Sequence, residues 1–479
     1  MGILNLSGTA IAQLIKADEI SATEVMKQAL SRADEIQAHL NPFVIITHEA
    51  ALAEAKKADQ VLRSNDPDSL PVFFGVPFTV KDLLDTEGVR TTYGSRSLEN
   101  NIPGKDIVAV ARMRAAGAIL LGKTTTPEFA SKVTTDSELF GITRNPWSPS
   151  LSSGGSSGGD GVAVATNIVP FGVSTDGGGS SRIPAAACGV LGMKVTIGAI
   201  PHESWPFHFG NSSSVSMNCR HPEDLVSLFN TMSGAHHLDP WSRREILAIT
   251  RPAQDEQPMR QRRALFVPAL GGNTCDADYL AIVKQALVNI ENLGLAVDVA
   301  SDDPIDFNPG IATQMMICNL AARVRQMLPE QQERLGPVLQ VLLNEEKFFR
   351  DGVRLQSDAI DRSRTYDRLE QVLKDYDFVL TPTVTAAPPM ADPEGDQSVT
   401  VNGNQTTLDK WWTHLSIANL TGHPAISIPC GTDTNGLPVG LHAIGGWDRE
   451  QDLVTLAYAV SRFSHWTERQ ASAFPAPHR

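Results

Sequence analysis

The chain has 479 residues, of which 42% are hydrophobic, so it can bury a large core. Its formal net charge is -14 and its isoelectric point is near 5.3, which argues against nucleic acid as a direct partner. Five widely spaced cysteines lack paired or metal-ligand spacing, so we expect no metal and a reducing, cytoplasmic setting. No apolar run approaches the ~20 residues of a membrane-spanning helix, and we expect neither a membrane anchor nor a signal peptide.

Two helices and a strand are predicted first along the chain. Residues 21–24, Ser-Ala-Thr-Glu, match a capping box that opens a helix, and apolar residues follow at helical spacing. A second helix is predicted over residues 49–62. The apolar segment 72–80 then predicts a buried strand, and Lys81 stands at its end.

Residues 117–124 contain a phosphate-loop pattern that we reject. The run from Gly117 to Thr124 matches GxxxxGK[ST] letter for letter. A true phosphate loop follows a strand and opens a helix, whereas here a helix predicted over residues 107–116 runs into an apolar strand at 118–121. Nucleotide binding is therefore not expected, and Lys123 is predicted to face solvent in a loop after the strand.

The remaining elements alternate between helices and short apolar strands. Residues 200–235 are polar and predict irregular structure, while residues 264–267, 378–383 and 425–429 predict buried strands. Helices are predicted over residues 276–293 and within residues 311–373. This alternation along the whole length predicts one α/β domain.

Two glycine-flanked serine clusters lie a short distance apart. Residues 154–159 read GGSSGG, and residues 174–182 read STDGGGSSR. A flexible linker is the alternative interpretation, but the run between the clusters is apolar, unlike a linker. Glycines let several main-chain N–H groups converge on one point, as an oxyanion hole requires, and a serine there is a candidate nucleophile. Because no base lies nearby in sequence and no GxSxG elbow is present, Lys81 is the best candidate base.

Further motifs accompany the serine clusters. They are GVPFTVKD around Lys81, GKTTTPEF, FGITRNPW at residues 140–147, and the tail segments NLTGHPAISIPCG and GLPVGL. With these motifs the sequence resembles the amidase signature family over nearly its whole length. The resemblance implies a single α/β domain over residues 1–479, with a mixed central sheet covered by helices on both faces. Within it we expect a helical region at residues 1–65, a signature core at 70–235 and a C-terminal part at 264–479.

The resemblance also implies roles for individual residues. The family's nucleophile falls on Ser180, its bridging serine, which has a cis peptide bond in the family, falls on Ser156, and its base falls on Lys81. The implied oxyanion-hole, substrate-contact and supporting positions are Gly177, Gly178, Gly179, Ser180 itself, Ala130, Thr175 and Asp176. By composition Ser153, Ser157 and Ser181 are equally good hydroxyls, and only the motif register selects Ser156 and Ser180. We expect Arg182 to anchor the glycine loop to Asp176 or to carbonyls rather than to grip a substrate carboxylate.

The chemistry implied for these residues is coherent. A lysine with its free pKa of ~10.4 is protonated at neutral pH, but burial away from carboxylates lowers the pKa and permits a neutral base. Asp82 should point away from Lys81 and accept structural hydrogen bonds. Ser156 would relay a proton between Ser180 and Lys81 and then protonate the leaving nitrogen, and water would hydrolyse an acyl-enzyme on Ser180.

The substrate is less well defined than the reaction. We favour a small or medium, uncharged amide or related carbamate, with water as co-substrate and without a cofactor. Residues 200–217, with Trp205, Phe207 and Phe209, and a helix at 311–328 are candidates to line an apolar acyl pocket. The alternatives are the glutaminase (A-type) subunit of a tRNA-dependent amidotransferase and, in another class, an idle scaffold of the same fold. No nucleic-acid or membrane partner is expected, and a homodimer is the assembly to test.

Overall fold

The fold was analysed in a computed structural model of the chain. The structure describes residues 2–203, 207–253, 257–345, 351–392, 397–469 and 471. Among these residues, none of the helices has both the length and the apolar character that crossing a membrane requires.

A mixed eleven-stranded sheet forms the centre of the molecule, and its strands come from residues 43 to 445. Its order is β1-β3-β2-β6-β8-β7-β14-β15-β11-β9-β10, and β12-β13 and β4-β5 form two separate pairs. The strands are β1 Phe43–Ile46, β2 Pro77–Lys81, β3 Ile119–Thr124, β4 Asp136–Ser137, β5 Gly141–Ile142, β6 Phe171–Asp176, β7 Leu191–Lys194, β8 Ser214–Cys219, β9 Arg263–Phe266, β10 Ala296–Val299, β11 Phe378–Pro382, β12 Ser398–Val401, β13 Asn404–Thr407, β14 Ala425–Thr432 and β15 Pro438–Gly445.

Helices flank this sheet, so the predicted α/β fold with a mixed central sheet is confirmed. They are α1 Gly8–Lys16, α2 Ala22–Leu40, α3 His48–Ser64, α4 Val108–Ala115, α5 Gly158–Ala165, α6 Arg182–Cys188, α7 Pro222–Met232, α8 Ala277–Glu291, α9 Pro309–Arg325, α10 Pro329–Gln332, α11 Pro337–Asn344, α12 Gly352–Leu373, α13 Asp409–Trp412, α14 Ile417–Thr421 and α15 Glu450–Ser464.

Local sequence explains the elements that lead to the site. The Ser21 hydroxyl accepts a hydrogen bond from the Glu24 N–H at 3.0 Å and so caps α2, as the capping-box pattern predicts. Strand β2 is buried throughout and ends at Lys81, as predicted, but it begins at Pro77 and not at residue 72. Strand β3 follows α4 through Gly117, which has a positive φ of 85°, so the phosphate-loop pattern there is part of a helix-to-strand connection.

The two serine clusters lead into the most deeply buried helices. Helices α5 and α6 are buried at every residue and contact each other. Helix α5 packs against β2 and β6, and α6 packs against β7, β14 and β15. The apolar run between the clusters is therefore core, which rules out the linker interpretation.

The prediction of irregular structure over residues 200–235 is wrong. Strand β8 and helix α7 both lie in this range. Strand β8 reads Ser-Val-Ser-Met-Asn-Cys, and its polar positions are as buried as its apolar ones. It is a central strand between β6 and β7, so its polar side chains lie inside the molecule, where polarity is a poor sign of a loop.

Candidate active site

The site lies where β2 and β6 end side by side. These strands are parallel neighbours, with Thr79 opposite Gly172 and Val80 opposite Val173. The carboxyl ends of parallel neighbours meet at one edge of a sheet, so Lys81, the last residue of β2, lies near the turn that follows β6. That turn, residues 177–181, carries Ser180 and connects β6 to α6.

Lys81 has three hydroxyl groups as hydrogen-bond partners. Its side chain is fully buried, and Nζ donates to Ser156 Oγ at 2.7 Å, Ser157 Oγ at 2.9 Å and Thr175 Oγ1 at 3.1 Å. Burial lowers the pKa of Lys81 to about 7, against the smaller opposing influence of the Asp160 and Asp176 carboxylates. A substantial share of this lysine is therefore neutral near pH 7.

Ser156 and Ser157 form the turn that enters α5. The peptide bond between Gly155 and Ser156 is cis, at the position where the family resemblance places one. The Ser157 N–H donates to the Ser180 carbonyl at 3.0 Å, so the two serine-bearing turns are joined directly through the main chain.

Asp176 organises the turn that carries Ser180. Its carboxylate accepts hydrogen bonds from the N–H groups of Gly179 at 2.7 Å and Ser181 at 3.2 Å, and from Arg182 Nε and Nη2, both at 2.9 Å. Burial would raise the pKa of Asp176, but the charge and hydrogen bonds of Arg182 hold it well below its usual range. Arg182 is fully buried and also donates to the Leu415 carbonyl at 3.0 Å. It therefore holds the turn through both Asp176 and this carbonyl.

The N–H groups of this turn differ in their availability. Those of Gly177, Gly178 and Ser180 have no acceptor among the hydrogen bonds of the described residues, and the Ser180 side chain is half-buried. The Gly179 N–H, in contrast, donates to Asp176, because that anion lies at the start of the turn. The expectation that Gly179 offers a free oxyanion-hole donor is thus not met in this conformation.

Apolar side chains cover the glycine turn. A Cβ atom at Gly178 would lie 2.9 Å from Met316 Sδ and 3.4 Å from the Trp412 ring, and one at Gly179 would lie 3.1 Å from Leu415. Met316 belongs to α9, within the helix predicted to line an acyl pocket. Among the aromatic residues suggested for the same pocket, Phe207 and Phe209 are 55% and 72% exposed, and Trp205 lies outside the described residues.

Ala130 occupies a tightly held turn after β3. It belongs to the 3-10 turn Glu128–Ala130, and both Phe129 and Ala130 have positive φ, at 48° and 57°. The Phe129 N–H donates to the Tyr93 carbonyl at 2.8 Å, and the Arg323 guanidinium of α9 lies over the Phe129 ring at 5.2 Å. Neighbouring contacts thus hold a conformation that non-glycine residues rarely adopt.

Lys123 and Lys194, the two other lysines considered as the base, have different environments from Lys81. The prediction that Lys123 faces solvent is wrong: it lies in β3, fully buried, and donates to the Leu84 carbonyl and to the hydroxyls of Thr86 at 2.8 Å and Thr91 at 2.9 Å. The chain after β2 folds back over this side chain and supplies its acceptors. Lys194 donates to two carbonyls. Neither has a hydrogen bond to the serine turns among the described residues.

Asp82 behaves as predicted. Its carboxylate accepts hydrogen bonds from the Thr92 N–H at 3.0 Å, the Thr92 hydroxyl and the Gly94 N–H at 3.3 Å. It therefore structures the segment after β2 and does not bond to Lys81.

Three residues near the site received no role from the sequence. Ser157 shares Lys81 with Ser156, Asn419 donates to the Asp176 carbonyl at 2.8 Å, and Asp160 is buried in α5. Ser157 lies within the GGSSGG motif and Asp160 directly follows it, so this motif could have indicated both residues. Asn419 comes from a distant segment whose position depends on the fold. The described residues contain no group of three or more His, Cys, Asp or Glu side chains placed to hold a metal ion.

Comparison with known proteins establishes the family. The amidase family model matches residues 24–454, so this chain belongs to the amidase signature family and is an amide-hydrolysing enzyme. It is 29% identical to an acylamidase of Rhodococcus erythropolis, with 97% of each chain covered. It is 32% identical to the A-type subunit of the glutamyl-tRNA(Gln) amidotransferase of Synechococcus sp. (strain WH7803), with 93% of this chain and 94% of the relative covered.

Solved structures agree with this assignment. A bacterial aryl acylamidase of the amidase signature family superposes with a TM-score of 0.89 at 26% identity, with 98% of each chain covered. A 6-aminohexanoate cyclic dimer hydrolase, solved with its substrate, superposes with a TM-score of 0.86 at 26% identity, covering 98% of this chain and 99% of that one.

Proposed function

We propose that this amidase cleaves its substrate through Ser180 as nucleophile, Ser156 as proton relay and Lys81 as base. The observation that carries the proposal is the environment of Lys81, which is buried and bonded to three hydroxyls, with a pKa of about 7. A neutral Lys81 can take a proton from Ser156, which in turn can take one from Ser180. Attack on the amide carbonyl then gives a tetrahedral intermediate.

The remaining steps follow from the same groups. The N–H groups of Gly177, Gly178 and Ser180, which have no acceptor among the described residues, would stabilise the oxyanion. The proton held on Lys81 returns through Ser156 to the leaving nitrogen, which is needed because an amide anion is a very poor leaving group. The acyl group remains on Ser180 as an ester, and water activated by the same relay hydrolyses it to a carboxylate. No cofactor takes part in this scheme.

The acyl group that we propose is uncharged and small to medium in size. Met316, Trp412 and Leu415 present an apolar surface over Gly178 and Gly179, and an anion would lose hydration there without gaining a partner. The acylamidase and aryl acylamidase relatives are consistent with such a substrate. We propose a cytoplasmic enzyme, since all five cysteines are thiols.

A graded set of variants tests this mechanism. Ser180→Ala should abolish hydrolysis of an aryl amide, Lys81→Ala should nearly do so, and Ser156→Ala should lose several orders of magnitude, because the three groups act as a unit. A fluorophosphonate probe should label wild type and not Ser180→Ala. Lys194→Met is the matched control: this lysine is also fully buried, with a pKa lowered to about 7, but it binds carbonyls, and its loss should leave turnover in place. Unchanged hydrolysis by Ser180→Ala would refute the nucleophile assignment.

A second candidate is the glutaminase subunit of a tRNA-dependent amidotransferase. Relatives with that name are 28–32% identical over more than nine-tenths of this chain. The purified chain alone should be assayed with glutamine and with a panel of amides, esters, carbamates and hydrazides. Turnover of uncharged amides by the lone chain supports our proposal. Glutamine hydrolysis that requires added partner subunits would favour the second candidate, and failure to react with the fluorophosphonate would favour an idle scaffold. Size-exclusion chromatography of the same sample tests for a homodimer.

A further inference from the structure

A carboxyl group is buried in the core next to the strand that bears Lys81. Asp160 is the third residue of α5, its side chain is fully buried, and Oδ1 accepts a hydrogen bond from Thr79 Oγ1 at 2.8 Å. Thr79 lies two residues before Lys81 on β2, so the two side chains leave the strand on the same face. Asp160 and Lys81 are thus held on one side of the sheet by a common strand.

The sequence leaves space for this carboxyl group at one position. Gly172 of β6 lies opposite Thr79. A Cβ atom at Gly172 would lie 2.4 Å from Asp160 Oδ1 and 2.6 Å from Thr79 Oγ1, closer than any side chain can come. Glycine at this strand position is therefore required by the Asp160–Thr79 pair.

The other buried charged groups on elements packed against β2 have partners of their own. Asp176 of β6 is paired with Arg182 at 2.9 Å, and the Lys123 ammonium of β3 is bonded to a carbonyl and two hydroxyls. On α2, the buried Arg32 binds Glu35 at 2.8 Å and the Thr166 carbonyl at 3.1 Å.

Asp160 differs from Asp176 because its Oδ1 is bonded to a neutral hydroxyl, whereas Asp176 is bonded to a guanidinium. The charge of Asp160 therefore acts on the two nearby lysines, Lys81 and Lys123, through space.

We propose that Asp160 is a positioning residue that sets the proton affinity of Lys81 without touching the substrate. This inference rests on the proposed role of Lys81 as the base. An ionised Asp160 stabilises the Lys81 ammonium, and a neutral Asp160 releases it, so the carboxyl group determines at which pH the base becomes available.

The protonation behaviour of Asp160 supports this arrangement. Burial raises the pKa of Asp160 to about 7, although the Thr79 hydrogen bond and the positive charges of Lys81 and Lys123 oppose the rise. Lys81 titrates in the same range. A proton that moves between the two groups leaves the charge of the buried cluster unchanged, so their titrations are linked.

The pH dependence of Asp160→Asn tests the proposal. The amide keeps the shape of the side chain and its oxygen can still accept from Thr79, but the negative charge is gone. In wild type, kcat/KM should rise with pH through about 7, over a broad range because Asp160 ionises as Lys81 loses its proton. In Asp160→Asn the rise should move to lower pH and follow a single ionisation, because no carboxylate is left to stabilise the Lys81 ammonium.

Two further variants make the test decisive. Asp224→Asn is the matched control, because Asp224 is also fully buried with a pKa raised to about 7, yet it binds the N–H groups of Gly8 and Thr9. It should leave the pH profile in place. If Asp160→Asn does not fold, Thr79→Val tests the proposal instead. Without the Thr79 hydroxyl the Asp160 carboxylate is less stabilised, so the rise of kcat/KM with pH should again move to lower pH.

The outcomes separate this inference from the proposed function. A shifted profile in Asp160→Asn or Thr79→Val, with Asp224→Asn unshifted, supports it. A uniform loss of kcat/KM without a shift overturns it and leaves Asp160 a structural residue, provided that Lys81→Met is inactive. If Lys81→Met retains turnover with the wild-type profile, the proposed function itself fails.

Discussion

Replacement of Lys81 by methionine should change how stability depends on pH. Burial lowers the pKa of Lys81 from its ordinary 10.5 to about 7. At roughly 1.4 kcal/mol per pKa unit, this gap lowers the free energy of unfolding below pH 7 by about 5 kcal/mol, compared with its value above pH 10.5. Between pH 7 and 10.5 the unfolded state binds more protons than the native state, so the contribution of Lys81 to the free energy of unfolding rises with pH. Below pH 7 both states are protonated and the contribution is constant.

The difference between wild type and Lys81→Met isolates this contribution. Methionine does not titrate, so from about pH 7.5 to about pH 9.5 the free energy of unfolding of wild type should gain on that of the variant by about 1.4 kcal/mol per pH unit. Urea unfolding followed by circular dichroism at several pH values, with a common m-value, measures the difference. Lys27→Met, at an exposed position on α2, is the control and should show a constant offset. A constant offset in Lys81→Met as well would refute the view that Lys81 is neutral in the native state.

Three other substitutions test the surroundings of the site. Asp176→Asn leaves the buried Arg182 without its anion. It should lower the free energy of unfolding, measured by urea titration, by about 3–5 kcal/mol. A loss below about 1 kcal/mol would mean that the pair does not organise the turn. Met316→Ala removes a wall above Gly178 and should raise kcat/KM for bulky acyl groups relative to acetyl in a competition assay; an unchanged ratio would exclude Met316 from the acyl pocket. Gly122→Ala places a Cβ atom 2.4 Å from a carbonyl of β1 and should lower the free energy of unfolding by about 1–3 kcal/mol in thermal unfolding. Gly104→Ala, where the added Cβ atom has open space, should leave it nearly unchanged in the same assay.

The predicted and observed structures agree best where local pattern determines the element. The strand that ends at Lys81, the helix capped by Ser21 and the helix-to-strand connection at Gly117 all follow from residues within a few positions of one another. The central strand β8 does not follow from the local pattern, because its alternating polar positions are all buried inside the molecule. Alternating polarity normally indicates a half-exposed strand or a loop, and only the burial of all six residues in the folded chain reveals that both faces of β8 are covered.

Lys81 and Lys123 show how far sequence reasoning reaches for the site. Both occupy parallel neighbouring strands, both are fully buried, and burial lowers the pKa of each, to about 7 and about 8. In the sequence, the motif around Lys81 distinguishes the two lysines. In the structure, they differ in the groups that accept their hydrogen bonds. Lys123 binds groups of the segment that follows β2, whereas Lys81 binds the hydroxyls of Ser156 and Ser157 before α5 and of Thr175 in β6. Those contacts join residues up to 94 positions apart and depend on the sheet order.

The dependence of distant contacts on the fold also explains why the reaction is easier to infer from the sequence than the substrate. The groups proposed for bond cleavage come from the ends of two adjacent strands and from the turns that precede α5 and α6, so short motifs record them. The apolar cover comes from Met316 in α9 and from Trp412 and Leu415, more than 130 residues beyond the glycine turn that they contact. Selectivity can therefore change through α9 and residues 411–416 while Asp176 and Arg182 keep the turn in place. A family built in this way is expected to share one reaction and to vary in its acyl groups, which makes the acyl-group panel with Met316→Ala the most informative next experiment.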